Sequence, residues 1–214
     1  MVVNMKDKLS VFVALDRSGS MQGERWTTAI ASLNAYIADL QKESIDGDVT
    51  VVAFDSTHDK NSARSIRLIP LVEGKSIIRE YKALKNDVLE PAGMTPLYDA
   101  AAHVMDLALT RNAERTVVVI LTDGDENSSV EYTQAKIKDK VKTLQEKGWE
   151  VIFLGANFDV TKYAQGSGLA STKMRNVNFG DAQMVASMTA DLSSNTLMYA
   201  KTGGSIDMSV VIKK

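Results

Sequence analysis

Short apolar runs separated by polar turns predict a set of buried β-strands. The runs Val11–Leu15, Val117–Leu121 and Val151–Leu154 are rich in β-branched residues, and a polar or glycine-rich turn follows each of them. Val49–Phe54 fits the same description. Because the apolar character of these runs is continuous rather than alternating, we expect strands that are buried on both faces, as in a parallel sheet covered by helices.

Three further segments have a weaker strand pattern. Ile66–Val72 includes Pro70, which lacks the backbone N–H that a central strand donates, so this segment is predicted to be an edge strand. Lys173–Phe179 alternates in part and is a candidate sixth strand. The tail Ser205–Lys214 also contains an alternating segment, and we expect it either to add an edge strand or to reach a partner.

Helical periodicity occupies the segments between the strands. Apolar residues recur at three- and four-residue spacing in Trp26–Leu40 and Tyr132–Lys147, and Leu97–Leu109 is rich in alanine. Pro96 stands where the first residue of the second helix is expected, and Asp181 has the position of an N-cap for a fourth helix. The fourth helix carries an apolar stripe that we interpret as core packing, formed by Met184, Met188 and Leu192.

The alternation of strands and helices predicts the fold class. In α/β proteins, right-handed crossovers place helices on both faces of a parallel sheet. We therefore expect a doubly wound, Rossmann-like three-layer sandwich whose central sheet is mostly parallel and has one antiparallel edge strand. Residues 1–200 are predicted to form one domain, and residues 201–214 to form a C-terminal tail.

Composition and charge limit the classes of function. The chain has 214 residues, of which 44% are hydrophobic and 24% are charged, as is typical of a globular domain. Its formal net charge of −2 is too balanced for a protein that holds nucleic acid by neutralising phosphates. No apolar run has the length of a membrane span or of a signal peptide, so we expect a cytoplasmic protein that contacts neither nucleic acid nor membrane. The absence of cysteine excludes disulfides and thiolate metal sites.

Oxygen-rich loops follow two of the predicted strands and precede one helix. Ligands of an open α/β sheet bind outside the carboxyl ends of the strands, so the side chains of these loops are the first candidates for a binding site. Their hydroxyls and carboxylates belong to Asp16, Ser18, Ser20, Thr95 and Asp123. Oxygen ligands suit a hard cation such as Mg²⁺, whereas zinc prefers histidine and cysteine. The sequence therefore favours one Mg²⁺ site, with Mn²⁺ and Ca²⁺ as alternatives.

The residues around these positions resemble one family closely. Three segments resemble the metal-ion-dependent adhesion site (MIDAS) of von Willebrand factor A (vWA) domains. They are Asp-Arg-Ser-Gly-Ser-Met from Asp16, Gly-Met-Thr-Pro-Leu-Tyr-Asp-Ala from Gly93 and Leu-Thr-Asp-Gly-Asp from Leu121. The resemblance extends from about Leu9 to Phe179, with the elements in matching order. One segment alone is a weak signal, because Asp-x-Ser-x-Ser arises by chance. The three segments together, on the expected elements, are specific.

The resemblance implies a role for each residue. The hydroxyls of Ser18, Ser20 and Thr95 would coordinate the metal directly. Asp16 would orient waters or the serines, and Asp123 would bind the metal directly or through a water. In similar domains a carboxylate of a partner protein takes the remaining coordination position. We therefore expect a metal-dependent protein-binding module, a stand-alone bacterial or phage-encoded domain that docks an acidic group of another protein.

Each of these residues also has a purely structural interpretation. Asp16 and Ser18 suit the cap of the following helix, and Thr95 suits an N-cap. Asp123 precedes a glycine, as in an ordinary turn. Asp99 also matches the sequence motif of the family, and we interpret it as a structural residue. The metal site is favoured because the whole set occurs in order and with its spacing intact.

Two other classes of function stay open at the level of sequence. In a structural or assembly protein the metal would only stabilise the loops, and the tail Ser205–Lys214 would add a strand to a neighbour. The other class is a metal-dependent hydrolase, for example one that acts on phosphoesters. Ser18 and Ser20 are candidate nucleophiles of an enzyme, but no histidine or lysine is evidently paired with either. P-loop, dinucleotide-binding, haloacid dehalogenase and EF-hand patterns all fail. We therefore expect a protein without enzymatic activity.

Overall fold

One mixed sheet lies at the centre of the structure, a computed structural model that describes residues 8–57, 66–155, 166 and 168–209, without the side chains of 74–76. The strands are β1 (Leu9–Asp16), β2 (Gly47–Ser56), β3 (Ile66–Ile77), β4 (Arg115–Thr122), β5 (Glu150–Gly155) and β6 (Met174–Asn176). The helices are α1 (Glu24–Lys42), α2 (Leu97–Arg111), α3 (Gln134–Glu146) and α4 (Ala182–Thr202).

The order of the strands confirms the predicted fold class. The sheet runs β3-β2-β1-β4-β5-β6, and every pairing is parallel except that of β3 with β2. β3 is thus the antiparallel edge strand that the sequence predicted. Pro70 lies opposite Val52, where the register of the pair shifts. An edge strand tolerates this proline because, among the described residues, no strand lies on its second side to receive an N–H.

The sheet separates two hydrophobic cores. In β1, Val11 and Val13 belong to the core covered by α1 and α4, whereas Phe12 and Ala14 belong to the core covered by α2 and α3. Both faces of the strand are therefore buried, which explains why its apolar run is continuous rather than alternating. On the first face, the Ser32 Oγ lies 2.9 Å from the Thr189 Oγ1 and ties α1 to α4.

The C-terminal third follows the sequence pattern less closely. β6 has three residues, whereas the prediction spanned Lys173–Phe179. Lys173 ends a short 3-10 turn, and its buried ammonium contacts Glu150 and donates to the Ile206 carbonyl at 2.6 Å. Asp181 caps α4 as predicted, since its side chain accepts the Met184 N–H at 3.0 Å.

The apolar stripe of α4 is only partly in the core. Met188 and Leu192 are buried, as expected, but Met184 is 40% exposed. The first turn of α4 therefore lies at the edge of the core. Among the described residues, no helix is long and apolar enough to cross a membrane.

The described part of the tail packs against its own domain. α4 continues to Thr202, and residues 203–209 contain no strand. Ile206 and Met208 are each 1% exposed and belong to the core beneath α1 and α4. The Met208 N–H donates to the Thr172 carbonyl at 2.6 Å. The remainder of the predicted alternating segment, from residue 210, lies outside the described residues.

Candidate metal centre

The ends of β1 and β4 lie side by side at the point where the strand order reverses. The chain continues from β1 to β2, which lies on one side of the β1–β4 pair. It continues from β4 to β5, which lies on the opposite side of that pair. Asp16 is the last residue of β1 and Thr122 the last residue of β4. A crevice opens at such a switch point, which is where open α/β sheets bind ligands.

Asp16 is a fully buried carboxylate with hydrogen bonds to both oxygens. Its Oδ2 accepts from the Thr122 Oγ1 at 2.6 Å, and its Oδ1 accepts from the Ser18 N–H at 2.7 Å. Burial raises the pKa of Asp16 to about 6, and the nearby charge of Asp123 also raises it, while the bonds from Thr122 and Ser18 act in the opposite direction. The site therefore holds a negative charge that is poorly solvated.

A chain of hydroxyls leads from this buried position towards the surface. The Ser18 Oγ lies 2.9 Å from the Ser20 Oγ, and the Ser20 Oγ donates to the Asp123 Oδ1 at 2.6 Å. Ser18 and Asp123 are buried, whereas Ser20 is exposed. The loop after β1 and the loop after β4 thus share one polar cluster.

Thr95 reaches the same cluster from a third loop. A methyl group built on Gly124 would lie 3.4 Å from the Thr95 Oγ1 and 3.7 Å from the Ser20 Oγ. The two hydroxyls therefore face one small space beside Gly124. Asn127 holds Thr95 there, because its side-chain Oδ1 accepts the Thr95 N–H at 2.8 Å and its own N–H donates to the Thr95 carbonyl at 3.1 Å.

Gly93 allows the third loop to approach the sheet. Its φ is +81°, and a Cβ at this position would lie 2.0 Å from the Ser56 carbonyl oxygen. No side chain fits that contact without a shift of the backbone. The Gly93 carbonyl in turn accepts the Gly19 N–H at 3.0 Å, which links the loop of Thr95 to the loop after β1.

The structural interpretations of Ser18 and Thr95 do not account for their side chains. α1 has Gly23 as its N-cap and α2 has Pro96, and neither helix has a side-chain capping bond in the part of the chain that is described. Ser18 precedes a 3-10 turn, again without a side-chain cap. Both hydroxyls are directed to the polar cluster instead.

Asp99 has the structural role that the sequence suggested. Its carboxylate accepts three consecutive backbone N–H groups, from Val130 at 2.8 Å, Glu131 at 3.1 Å and Tyr132 at 2.7 Å. These bonds anchor the loop after β4 to the first turn of α2, and they leave Asp99 outside the cluster of hydroxyls.

Three residues of the site were not predicted. Thr122 and Asn127 orient Asp16 and Thr95, and Arg25 forms an ion pair with Asp123, with 2.9 Å between its Nη1 and the Asp123 Oδ2. Thr122 was detectable, because it adjoins Asp123 at the end of a strand. Arg25 and Asn127 lie in segments where the spacing of the residues does not indicate a binding site.

The donor set fits a hard divalent cation. The structure brings together all five predicted residues, which offer hydroxyl and carboxylate oxygens and no nitrogen or sulfur. No group of three or more histidine, cysteine or acidic side chains with metal-binding geometry occurs among the described residues. Any metal held here would depend on hydroxyls, which suits Mg²⁺ better than zinc.

Comparison with known proteins identifies the family. The model of the von Willebrand factor type A domain matches residues 10–191. The chain belongs to this family. No curated protein matches the vWA chain in sequence.

Solved structures share the vWA fold at low sequence identity. Proximal thread matrix protein 1 of the mussel byssus is similar over 87% of the chain, with a TM-score of 0.62 and 16% identity. The manganese-loaded TRAP protein of Plasmodium vivax is similar over 84% of the chain and 72% of its own, with a TM-score of 0.57 and 17% identity. The PilB minor pilin of Streptococcus sanguinis is similar over 89% of the chain and 61% of its own, with a TM-score of 0.62 and 14% identity. The chain spans about half the length (48%) of the mussel protein.

Proposed function

We propose that this vWA domain is a metal-dependent protein-binding module that docks an acidic group of a partner on a Mg²⁺ ion. The ion would be held by the hydroxyls of Ser18, Ser20 and Thr95 and by Asp123, directly or through a water. Asp16 would lie behind these ligands and orient them. When bound, it supplies a Lewis-acidic cation with a coordination position open to an external carboxylate. Mn²⁺ and Ca²⁺ are alternatives from the same class of hard cations.

One observation carries this proposal, the convergence of three separate loops on the space beside Gly124. The Ser20 Oγ and the Thr95 Oγ1 both face that space, and Ser20 is bonded to Asp123. The three loops are far apart in sequence, and neither a helix cap nor a turn requires their hydroxyls to meet. Neutral hydroxyls leave much of the charge of a divalent cation uncompensated, which favours an additional anionic ligand.

The fold comparisons are compatible with this proposal. The TRAP protein of similar fold was solved in a manganese-loaded form. A pilus adhesin, SpaC of Lactobacillus rhamnosus GG, is also similar, with a TM-score of 0.66 and 12% identity. These proteins share only the fold at this level of identity, so metal binding and attachment are carried to the present chain as part of the proposal.

The structure offers less support to the other two functions. An assembly role was expected to use the tail, but Ile206 and Met208 face the core of their own domain. A hydrolase that used Ser18 or Ser20 as its nucleophile would need a base beside that hydroxyl. Among the described residues, no histidine or lysine is hydrogen-bonded to the hydroxyl of Ser18 or Ser20.

A metal titration tests the first half of the proposal. Isothermal titration of the full chain with Mg²⁺, Mn²⁺ and Ca²⁺ should give one site per chain. Ser20→Ala should weaken binding by about tenfold or more, because it removes a neutral ligand and leaves the fold intact. Ser44→Ala, which changes an exposed serine in the turn after α1, is the matched control and should bind as the wild type does.

A binding assay tests the second half. Wild type and Asp16→Ala would be immobilised and exposed to extract of the native host, with Mg²⁺ or with excess EDTA. We expect a partner that is retained only by the wild type and only with Mg²⁺. Retention of the same partner in EDTA at undiminished affinity would contradict metal-dependent docking.

A further inference from the structure

Arg25 places a fixed positive charge at the edge of the candidate metal centre. It lies in the first turn of α1, and its Nη1 donates to the Asp123 Oδ2 at 2.9 Å and to the Ser20 carbonyl at 3.1 Å. The side chain of Arg25 is 43% exposed, whereas that of Asp123 is fully buried. The guanidinium therefore covers the outer oxygen of Asp123 and also faces solvent.

The charges bonded into the cluster can be counted. Asp16 and Asp123 contribute two negative charges at neutral pH, and Arg25 contributes one positive charge. A divalent cation among the hydroxyls would turn this net charge of −1 into +1. Without Arg25, the two carboxylates and the cation would balance and the loaded site would be neutral. In this count, one external carboxylate brings the loaded site to neutrality when Arg25 is present and to −1 when Arg25 is absent.

We propose that Arg25 is a specificity-determining residue that weakens the affinity of the site for the metal and strengthens the affinity of the loaded site for an external carboxylate. This inference rests on the proposed function and assigns one residue its part in it. The reason is electrostatic. A guanidinium bonded to a metal ligand repels the cation, and the same charge, half exposed at the rim, attracts an anion that arrives from solvent.

A positioning role for Arg25 would have the opposite effect on the metal. If the ion pair mainly held Asp123 in place, its loss would loosen a ligand and lower the affinity for Mg²⁺. The Ser20 Oγ already fixes the other oxygen of Asp123. The sign of the change in metal affinity therefore distinguishes the electrostatic role from the positioning role.

The first measurement uses Mg²⁺ alone. Full-length wild type, Arg25→Gln and Arg25→Lys would be titrated calorimetrically at low ionic strength. We expect Arg25→Gln to bind Mg²⁺ about three- to tenfold more tightly, and Arg25→Lys to stay near the wild type because it keeps the charge. Lys42→Gln removes an exposed cation at the far end of the same helix and should change nothing. Arg25→Met serves as a second uncharged variant.

The second measurement uses acetate as the external carboxylate. Each variant would be loaded with Mn²⁺, and acetate would be added while the relaxation of water protons is recorded, since a carboxylate that displaces a metal-bound water lowers the relaxivity. We expect Arg25→Gln to need about three- to tenfold more acetate than the wild type for the same loss. High salt should reduce the difference between the variants.

The two measurements separate this inference from the function on which it rests. Tighter Mg²⁺ binding together with weaker acetate binding in Arg25→Gln supports the inference. Unchanged or weaker Mg²⁺ binding in both uncharged variants overturns it while leaving a metal site in place, and so does unchanged acetate binding. If no variant, including the wild type, binds a divalent cation, the proposed function itself is wrong.

Discussion

The Thr122 Oγ1 donates a 2.6 Å hydrogen bond to the Oδ2 of Asp16, and this bond joins the ends of the two central strands. Both residues are fully buried. The carboxylate cannot be solvated at this position, so its charge is stabilised by the hydroxyl and by the Ser18 N–H. A hydrogen bond to a buried charge is worth more than one between neutral groups.

Thr122→Val should therefore destabilise the protein. Valine has nearly the same shape but cannot donate, so we expect a loss of about 1.5–3 kcal/mol in the free energy of unfolding at neutral pH. The measurement is urea denaturation without metal.

Thr50→Val is the matched control for Thr122→Val. Thr50 is buried in β2, and its Oγ1 has no hydrogen-bond partner among the described residues. The same substitution there should leave the stability unchanged or raise it by up to about 1 kcal/mol. Equal losses in the two variants would show that the bond to Asp16 has no special weight.

Stability without metal should depend on pH through Asp16. Burial raises its pKa from 3.8 to about 6, so between these values the folded protein holds a proton that the unfolded chain has released. The free energy of unfolding should therefore fall as the pH rises through this range and level off above it. From about pH 4.5 to about pH 7.5, Asp16 should lower the free energy of unfolding by about 2 kcal/mol.

Asp16→Asn isolates this contribution, because asparagine keeps the shape and does not ionise. The difference in unfolding free energy between wild type and Asp16→Asn would be measured by urea denaturation in EDTA at both pH values. It should shift in favour of the variant at the higher pH. A difference that is independent of pH would mean that the carboxyl does not titrate in this range.

Gly124→Ala should block the metal without disturbing the fold. Its methyl group would lie at ordinary contact distance, 3.4 Å or more, from the Thr95 Oγ1 and the Ser20 Oγ, and the φ of Gly124 is not positive. We expect a change in unfolding free energy of less than about 0.5–1 kcal/mol. The affinity for Mg²⁺ should fall by about tenfold or more, because the methyl group occupies the space that the two hydroxyls face.

Gly180→Ala is the comparison for Gly124→Ala, since it adds the same methyl group at an exposed loop position before α4. It should bind Mg²⁺ as the wild type does. If Gly124→Ala also retained wild-type affinity, the space beside Gly124 would not be the metal position.

Asp99→Ala should lower stability more than most surface substitutions. The carboxylate accepts the N–H groups of residues 130, 131 and 132, and the change would leave all three without this acceptor. We expect a loss of about 2–4 kcal/mol by chemical denaturation. Asp99→Asn keeps one carbonyl acceptor, so its free energy of unfolding should lie between those of the wild type and Asp99→Ala. A loss below about 0.5 kcal/mol would contradict the anchoring role.

The sequence predicted the central part of the fold because both faces of those strands are buried. Continuous β-branched runs such as Val117–Leu121 occur where helices cover a parallel sheet on both sides. The signal was weaker at β6, where only Met174–Asn176 pair with β5. There the ammonium of the buried Lys173 contacts Glu150 of β5 and donates to Ser205 and Ile206 of the tail. Long-range contacts of this kind leave no periodicity in the sequence.

The candidate site was predicted as a set of residue types but not as a network. Hydroxyls and carboxylates at strand ends can be found from their positions along the chain. The ion pair of Arg25 with Asp123 could not, because Arg25 lies in a helix, 98 positions from Asp123, and belongs to none of the three loop segments. Asn127 was similarly hidden, since its role is to hold the backbone of Thr95 rather than to offer a ligand.

Two buried residues of the tail restrict where the chain can be shortened. Ile206 and Met208 fill the core beneath α1 and α4, and the Met208 N–H is bonded to Thr172. Burying each of these side chains contributes about 1.5–3 kcal/mol. A truncation before residue 206 would therefore expose a hydrophobic surface and destabilise the domain. A loss of partner binding in such a variant would then look like the loss of a binding segment. Substitutions at the exposed tail positions Asp207 and Ser209 would examine the tail while Ile206 and Met208 stay in the core.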